Sequence, residues 1–488
     1  MGAFSFFHVF FLPGLASLRI LKFYVNLQSA LLFAVPISLL INYFLIFTCT
    51  VFGFDFKIPL FLLFGLSSFV VIFKKNGVKK LLETRIERYS FVELIITTLS
   101  WLYFVYFLTR WIKSFGTIIY WWDAYSAWNP WGMSWYNNKI PSNTSQYPQM
   151  IPMVYAIGYK FIGNVTVQFF SKIMVTSFPV IAAFASLITG HSSGKNRTIY
   201  SAATIAFLYC VNHFLIPLSG YADAPLASIV YLLVLAMTFF RNAEKLEDYQ
   251  YNLLIFSTIL CGFIKPTGAI ISVIAPIIIK FLFTNNISFN KLLRTYIVIG
   301  ITLFTWYGFK QIQFLMGEDH SVLNHIVSTV GIPFSERIPN GIQLFWKDLF
   351  ENGTSIWIKF LSSILVIVFS LRAFQKRFES VVFVVVAALL FVLWSLITSY
   401  DTRNLAFFVP FACLVFGYGV QSVFESQKIF PRKILIKPIT LKYPKHLFAI
   451  IFVIFAIVGE LYLTDEKILS AQKEAVIRYN ETHSDQIK

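Results

Sequence analysis

Charged residues are scarce in this chain: Asp, Glu, Lys and Arg make up 13% of 488 residues, against 57% that are hydrophobic. An ordinary soluble domain carries about 25% charge, so a water-soluble globular fold is excluded and a polytopic membrane protein is expected. Acid is the scarcer sign, 23 residues against 40 basic ones, for a formal net charge of +17. That surplus does not point to nucleic acid, because the Lys and Arg residues sit in short loops between apolar runs, where they act as a topology signal. Cysteine is rare too. Cys49, Cys210, Cys261 and Cys413 stand singly in apolar surroundings without CxxC spacing, which argues against disulfides or thiolate metal sites and reads as small buried hydrophobes. His213, His320 and His325 lack metal-ligand spacing with neighbouring acids. No cofactor is therefore indicated with certainty, and a divalent metal, though chemically admissible, has no support from ligand spacing.

Long apolar runs are abundant. They cover approximately residues 27–52, 57–73, 91–109, 165–187, 199–217, 224–240, 249–264, 267–284, 295–315, 354–371, 380–398, 404–423 and 447–464. Most approach the roughly 20 residues needed to cross the hydrocarbon core as a helix. The expected fold is an all-α polytopic membrane bundle of about thirteen spans, with short interfacial helices in the first large outer loop. Residues 1–18 add a short apolar stretch with no basic region ahead of it, which reads as a retained segment and not as a removed signal peptide. The Lys265-Pro266 pair can join its flanking runs into one broken element.

The basic loop from Lys74 to Arg88 is expected on the cytoplasmic side. Alternation then places Lys195 and Arg197, Arg241 and Lys245, Lys291 and Arg294, Arg372, Lys376 and Arg377, and the run from Lys428 to Lys445 on that same side. Opposite them fall the loop containing Asp123, the stretch Gly220 to Asp223, Lys265, a long loop from about 317 to 353, and Ser399 to Arg403. Three regions are expected: residues 1–90, N-terminal helices with the basic loop; 91–423, a catalytic membrane module; and 424–488, a basic loop, a last span and a short tail.

The candidate functional residues share the outer side. Tyr120-Trp121-Trp122-Asp123-Ala124-Tyr125-Ser126-Ala127-Trp128 sets an acid among aromatic rings, which is costly unless the carboxylate is solvated or paired. Helix capping is the plainer explanation. Trp111, Trp121, Trp122, Trp128, Trp131 and Trp135 read mostly as an interfacial anchor belt. The spans themselves are almost free of ionisable groups, which argues for a site at one interface and against a path across the membrane. Sugar transfer suits such a site. Asp123 can take the proton of an attacking hydroxyl, while Arg403, by a two-pronged contact, and Lys265, as a point charge, can hold a departing phosphate. Trp122, Trp128, Tyr147, Tyr221, Asp223 and Asp401 are candidates for the substrate pocket. Plainer roles stay open: Arg403 snorkelling or pairing with Asp401, Lys265 as a solvated interfacial lysine, and Asp223 as a helix cap.

With those residues laid out, the chain resembles the GT-C glycosyltransferases, multispanning enzymes that use polyprenyl-phosphate sugars. The similarity lies in Trp122-Asp123-Ala124 with Trp128 and Tyr147-Pro148-Gln149-Met150-Ile151-Pro152, in Gly220-Tyr221-Ala222-Asp223-Ala224-Pro225-Leu226, in Ile264-Lys265-Pro266-Thr267-Gly268, and in Arg403 to Pro410. The resemblance implies that Asp123 is the catalytic carboxylate of the first outer loop. Two features depart from the family pattern: the acid of that loop is single, not paired, and two spans precede the Asp123 unit where many relatives have one helix. The expected function is inverting transfer of a sugar from a polyprenyl-phosphate donor to an extracytoplasmic glycan, lipid or protein acceptor. The enzyme would sit among the lipids of the cytoplasmic (inner) membrane with its site facing outward. An O-antigen polymerase or ligase, and a flippase or transporter of lipid-linked sugars, are the alternatives.

Overall fold

A backbone withdrawn from water must satisfy its own polar groups, and a helix does so within a single segment. Every regular element among the described residues is accordingly helical. The computed structural model describes residues 1–21, 23, 27–73, 91–114, 118–119, 121, 123–142, 144, 147–192, 196–215, 217–241, 246–283, 287–316, 331–351, 378–398, 401–426, 474 and 477. The helices are α1 (Gly2–Phe10) and α2 (Leu12–Ile20), then α3 (Leu27–Val51) with a π-helical stretch at Ala30–Ala34, and α4 (Lys57–Phe73). Next come α5 (Phe91–Lys113), a π-helical turn Ala124–Trp128 leading into α6 (Asn129–Tyr136), and α7 (Met150–Ile162). After these run α8 (Phe169–Thr176), α9 (Phe178–Ser192), α10 (Arg197–Phe214), α11 (Asp223–Arg241), α12 (Asp248–Ile264) and α13 (Pro266–Leu282). The series closes with α14 (Phe289–Leu315), α15 (Phe334–Glu351), α16 (Phe378–Ile397), a 3-10 turn Thr402–Phe407 and α17 (Val409–Ser426).

Five of these helices are long and apolar enough to cross a membrane, and seven spans result if each bent pair counts as one. Helices α4, α7, α13 and the first part of α17 are apolar but shorter. Of the expected runs, 354–371 and 447–464 lie outside the described residues.

The expected span at 165–187 is not straight: α8 and α9 meet at a bend of 43°. Pro179 follows the break and cannot donate a helical hydrogen bond back toward α8. Pro13 occupies the corresponding place in the 42° bend between α1 and α2. The runs either side of Lys265 do not join into one element. They fold back as a hairpin, with Lys265 extended at its tip (φ −152°, ψ 152°). Gly268 lies against the backbone of Cys261, and Ser272 Oγ donates to the Thr258 carbonyl at 2.8 Å.

Ion pairs mark one end of the bundle. Glu93 in the first turn of α5 meets Arg197 at the start of α10 at 3.8 Å, Arg241 at the end of α11 meets Glu379 at the start of α16 at 2.8 Å, and Asp248 meets Lys291 at 2.6 Å. The start of α11, the tip of the α12–α13 hairpin and the 3-10 turn lie together at the other end, as shown below. Between the two ends lies one large apolar core drawing on residues from Val9 to Tyr418, with two smaller clusters around Trp111 and Ile96. Helix α11 is its axis, with 94% of its apolar window buried, against 22% for α14 and 28% for α5. An all-round apolar helix at the centre and one-sided apolar exposure at the edge are what a lipid-embedded bundle requires.

The tryptophans divide. Trp111 and Trp135 are buried with their indole N–H groups bonded to Thr176 and Gln149, and Trp128 is buried as well, whereas Trp121 is exposed. An interfacial belt therefore does not describe the buried members: once a polar side chain satisfies the indole N–H, the ring packs as core.

Candidate active site

Asp123 precedes the π-helical turn, and its side chain makes no capping hydrogen bond there. The carboxylate reaches outward instead, and its Oδ2 accepts from Arg403 Nη1 at 2.7 Å, a contact between residues 280 positions apart. Arg403 is set in place by its own turn. Asp401, with extended backbone, caps the 3-10 helix by accepting from the Arg403 backbone N–H at 2.8 Å, and its Oδ2 accepts from Arg403 Nε at 2.7 Å. The Trp394 indole in turn donates to the Asp401 carbonyl at 3.2 Å.

Beneath the guanidinium lies Tyr221, its ring centroid 4.8 Å from Arg403 Cζ, a cation–π arrangement. The Tyr221 hydroxyl accepts from the Asp123 backbone N–H at 3.4 Å. Gly220 makes this approach possible. Its φ of +88° is left-handed, a region open to glycine, and its carbonyl accepts from the Tyr155 hydroxyl at 3.0 Å.

A second, drier tier sits alongside. Lys265 Nζ donates to Asp223 Oδ1 and, at 2.8 Å, to Asn404 Oδ1, and Asn404 Nδ2 donates to the Thr398 carbonyl at 3.3 Å. Because Asn404 follows Arg403, this tier braces the turn that carries the guanidinium. The tiers differ in access: the side chains of Lys265 and Asp223 are 11% and 6% exposed, those of Arg403 and Asp123 25% and 41%. Lys265 is thus a buried, paired cation and not a solvated interfacial lysine.

The electrostatics follow from this packing. Burial alone raises the Asp401 carboxyl, but the hydrogen bonds and charge of Arg403 outweigh it and hold it below the usual carboxylate range. For Arg403 burial acts downward and the surrounding carboxylates, Asp401 foremost, reverse it, so the guanidinium is held more firmly protonated than usual. Burial, then the Asp123 charge, push the Tyr221 phenol up.

Of the residues singled out from sequence, Asp123, Tyr221, Asp401 and Arg403 form one connected cluster, and Asp223 and Lys265 join it through Asn404. Trp128 and Tyr147 pack instead against each other at 5.6 Å, with Trp131 beside both. Trp122 lies outside the described residues. Asn404, Trp394 and Tyr155 complete the cluster and were not singled out. Asn404 had a signal in its position next to Arg403, whereas Trp394 is a residue of an apolar run with none and Tyr155 lies in α7, outside the expected runs. Among the described residues no group of three His, Cys, Asp or Glu side chains is placed to hold a metal ion.

Comparisons of the chain with protein-family models, with characterised proteins and with solved structures each found no match. What is established is a helical membrane protein with an accessible carboxylate–guanidinium pair at one end of its bundle.

Proposed function

We propose that the protein is a glycosyltransferase of the inner membrane that moves a sugar from a polyprenyl-phosphate donor to an extracytoplasmic glycan, lipid or protein acceptor. The observation that carries this reading is the contact of Arg403 with Asp123: a phosphate-binding cation and a proton acceptor, brought together from distant segments, with partial access to solvent. A guanidinium offers its remaining N–H groups to phosphate in a fork. A donor phosphate that engages Arg403 competes with Asp123 for it and so releases the carboxylate. Asp123 then accepts the proton of the acceptor hydroxyl as its oxygen bonds to the anomeric carbon, and the carbon–oxygen bond to phosphate breaks with the electron pair leaving on the phosphate. Attack opposite the leaving group inverts the anomeric centre. Tyr221 and Asp401 hold the guanidinium. Such chemistry belongs at the outer face, in keeping with a bundle of about thirteen spans whose basic loops are cytoplasmic.

The test is a panel of radiolabelled polyprenyl-phosphate sugars offered to purified protein in lipid vesicles with a mixed acceptor fraction. Label transferred to acceptor supports the proposal. Labelled carrier crossing the bilayer without donor consumption would replace it with the flippase alternative.

A further inference from the structure

A second polar site lies away from the charged cluster. The turn between α3 and α4 carries Asp55, with Lys57 at the start of α4, against the end of α6 and the end of α7, and frames an open pocket of about 320 Å³ lined by Asp55, Lys57, Tyr136, Asn137, Asn138, Lys160 and Gly163. That volume falls at the small end of the roughly 300–1,000 Å³ range of ligand sites. Its floor is built. Lys160 is 8% exposed, donates to Asp55 at 2.9 Å, and lies 4.8 Å from the Phe56 ring and 5.1 Å from the Tyr136 ring. The Tyr136 hydroxyl donates to the Gly163 carbonyl at 3.2 Å, which ties the two helix ends together. Asn138 has a left-handed backbone (φ 55°), and its amide oxygen is buried without a protein donor. Such an acceptor calls for a hydroxyl or a water.

The lining selects a class of ligand. Donors (Lys57, Lys160), an acceptor (Asp55) and groups that do both (Asn137, Asn138) surround one aromatic wall, which matches hydroxyls that donate and accept on a ring with apolar C–H faces. A purely apolar molecule would bury these groups unpaired. A phosphate would face the Asp55 carboxylate, half of whose surface is open; burial pushes that carboxyl up, but its hydrogen bond from Lys160 holds it below the usual range. The site also has a geometric link to the charged cluster. One segment bears Asp123 at its start and α7 at its close; Tyr155, midway along α7, bonds Gly220 beside the cluster, and Lys160 lies about 7.5 Å further along the helix axis. The turn between α3 and α4 supplies Asp55, and the start of α4 supplies Lys57.

We propose that this cavity is a carbohydrate subsite, holding a sugar unit of the acceptor at a distance from the reacting centre. Its assignment to the acceptor rests on the transferase reading, whereas its capacity to bind a sugar does not. The experiment is a saturation-transfer NMR titration of full-length protein in lipid nanodiscs with a panel of neutral and acidic mono- and disaccharides. It is run on wild type, Lys57→Ala, Asn137→Ala and Asp123→Asn. Lys57 and Asn137 are exposed, so their replacement leaves the core intact. Saturable binding that weakens by about tenfold or more in the first two variants and is unchanged in Asp123→Asn is expected. Absence of binding across the panel, loss of binding only in Asp123→Asn, or full displacement by equimolar inorganic phosphate overturns the subsite. Sugar binding in a protein that transfers nothing overturns the transferase reading and the acceptor assignment, and leaves the subsite standing.

Discussion

Asp123 carries an exposed carboxylate and Arg403 a half-buried guanidinium, and the two can be separated by substitution because they do different work. Asp123→Asn keeps the shape and removes the proton acceptor, so turnover should fall by about 10²–10⁴ with donor affinity little changed. Arg403→Ala should raise the donor KM, since the lost contact is one of binding; an unchanged KM in steady-state kinetics would return Arg403 to a structural role. Asp401 supplies a pH test. Its carboxyl is held below the ordinary value, so its contribution to stability is present above about pH 4 and is lost as pH falls through the lowered folded-state value. The wild-type Tm should therefore drop more steeply below pH 4 than that of Asp401→Asn, and parallel curves would count against the pairing. At this scale the acids and cations of the site were legible in the sequence, because charge is conspicuous in an apolar chain. The local pair of Arg403 with Asp401 was an open alternative in the sequence and is present; the long-range pair was not legible, because the fold delivers Arg403 to Asp123 across 280 positions.

Among the elements, the α12–α13 hairpin has the most direct consequence for the site, since its tip presents Lys265. A Cβ at Gly268 would overlap the Cys261 carbonyl, with little room for either backbone to move. Gly268→Val should force the hairpin open, lower the Tm and withdraw Lys265 from Asp223 and Asn404. Lys265→Met leaves the Asp223 carboxylate buried without its cation, a change that typically costs about 3–5 kcal/mol; a thermal-shift series showing Lys265→Met as stable as wild type would contradict a bracing role. Apolar runs predicted most of the long described helices, because length and composition suffice for that, but α7 and α15 lie outside every expected run, α15 within the expected outer loop. The runs could not distinguish a hairpin from a broken span at Lys265-Pro266. That choice depends on whether Gly262, Gly268 and Ser272 let the two helices touch, a property of paired surfaces and not of hydropathy.

For the molecule as a whole, the ends of the bundle are chemically distinct. One end carries the Glu93–Arg197, Arg241–Glu379 and Asp248–Lys291 pairs, the other the Asp123–Arg403 cluster. Between them α4 exposes Ile58, Leu62, Leu66 and Phe69 in a helical stripe, and α14 exposes Ile297, Ile301 and Phe304; these are surfaces for lipid. If the site faces outward, Asn137→Cys in a background lacking the four native cysteines should react with a membrane-impermeant thiol reagent added to intact cells. Asp248→Cys, whose parent side chain is 91% exposed at the opposite end, should react only after the membrane is opened. The reverse labelling pattern would invert the orientation. The separation of Arg197, Arg241 and Lys291 from the Asp123–Arg403 cluster was legible in the alternation of basic loops, and the labelling pattern tests which end faces outward. The core position of Trp111 and Trp135 was not legible, since it depends on the Thr176 and Gln149 side chains that the fold brings to them.

The most direct measurement is single-turnover transfer from the radiolabelled polyprenyl-phosphate sugar that wild type accepts, with Asp123→Asn and Arg403→Ala assayed beside it. Loss of the chemical step in Asp123→Asn with donor binding retained, and loss of donor binding in Arg403→Ala, is the expected pair of results. Transfer by Asp123→Asn at the wild-type rate would contradict a general base at that carboxylate and, with it, the site as described.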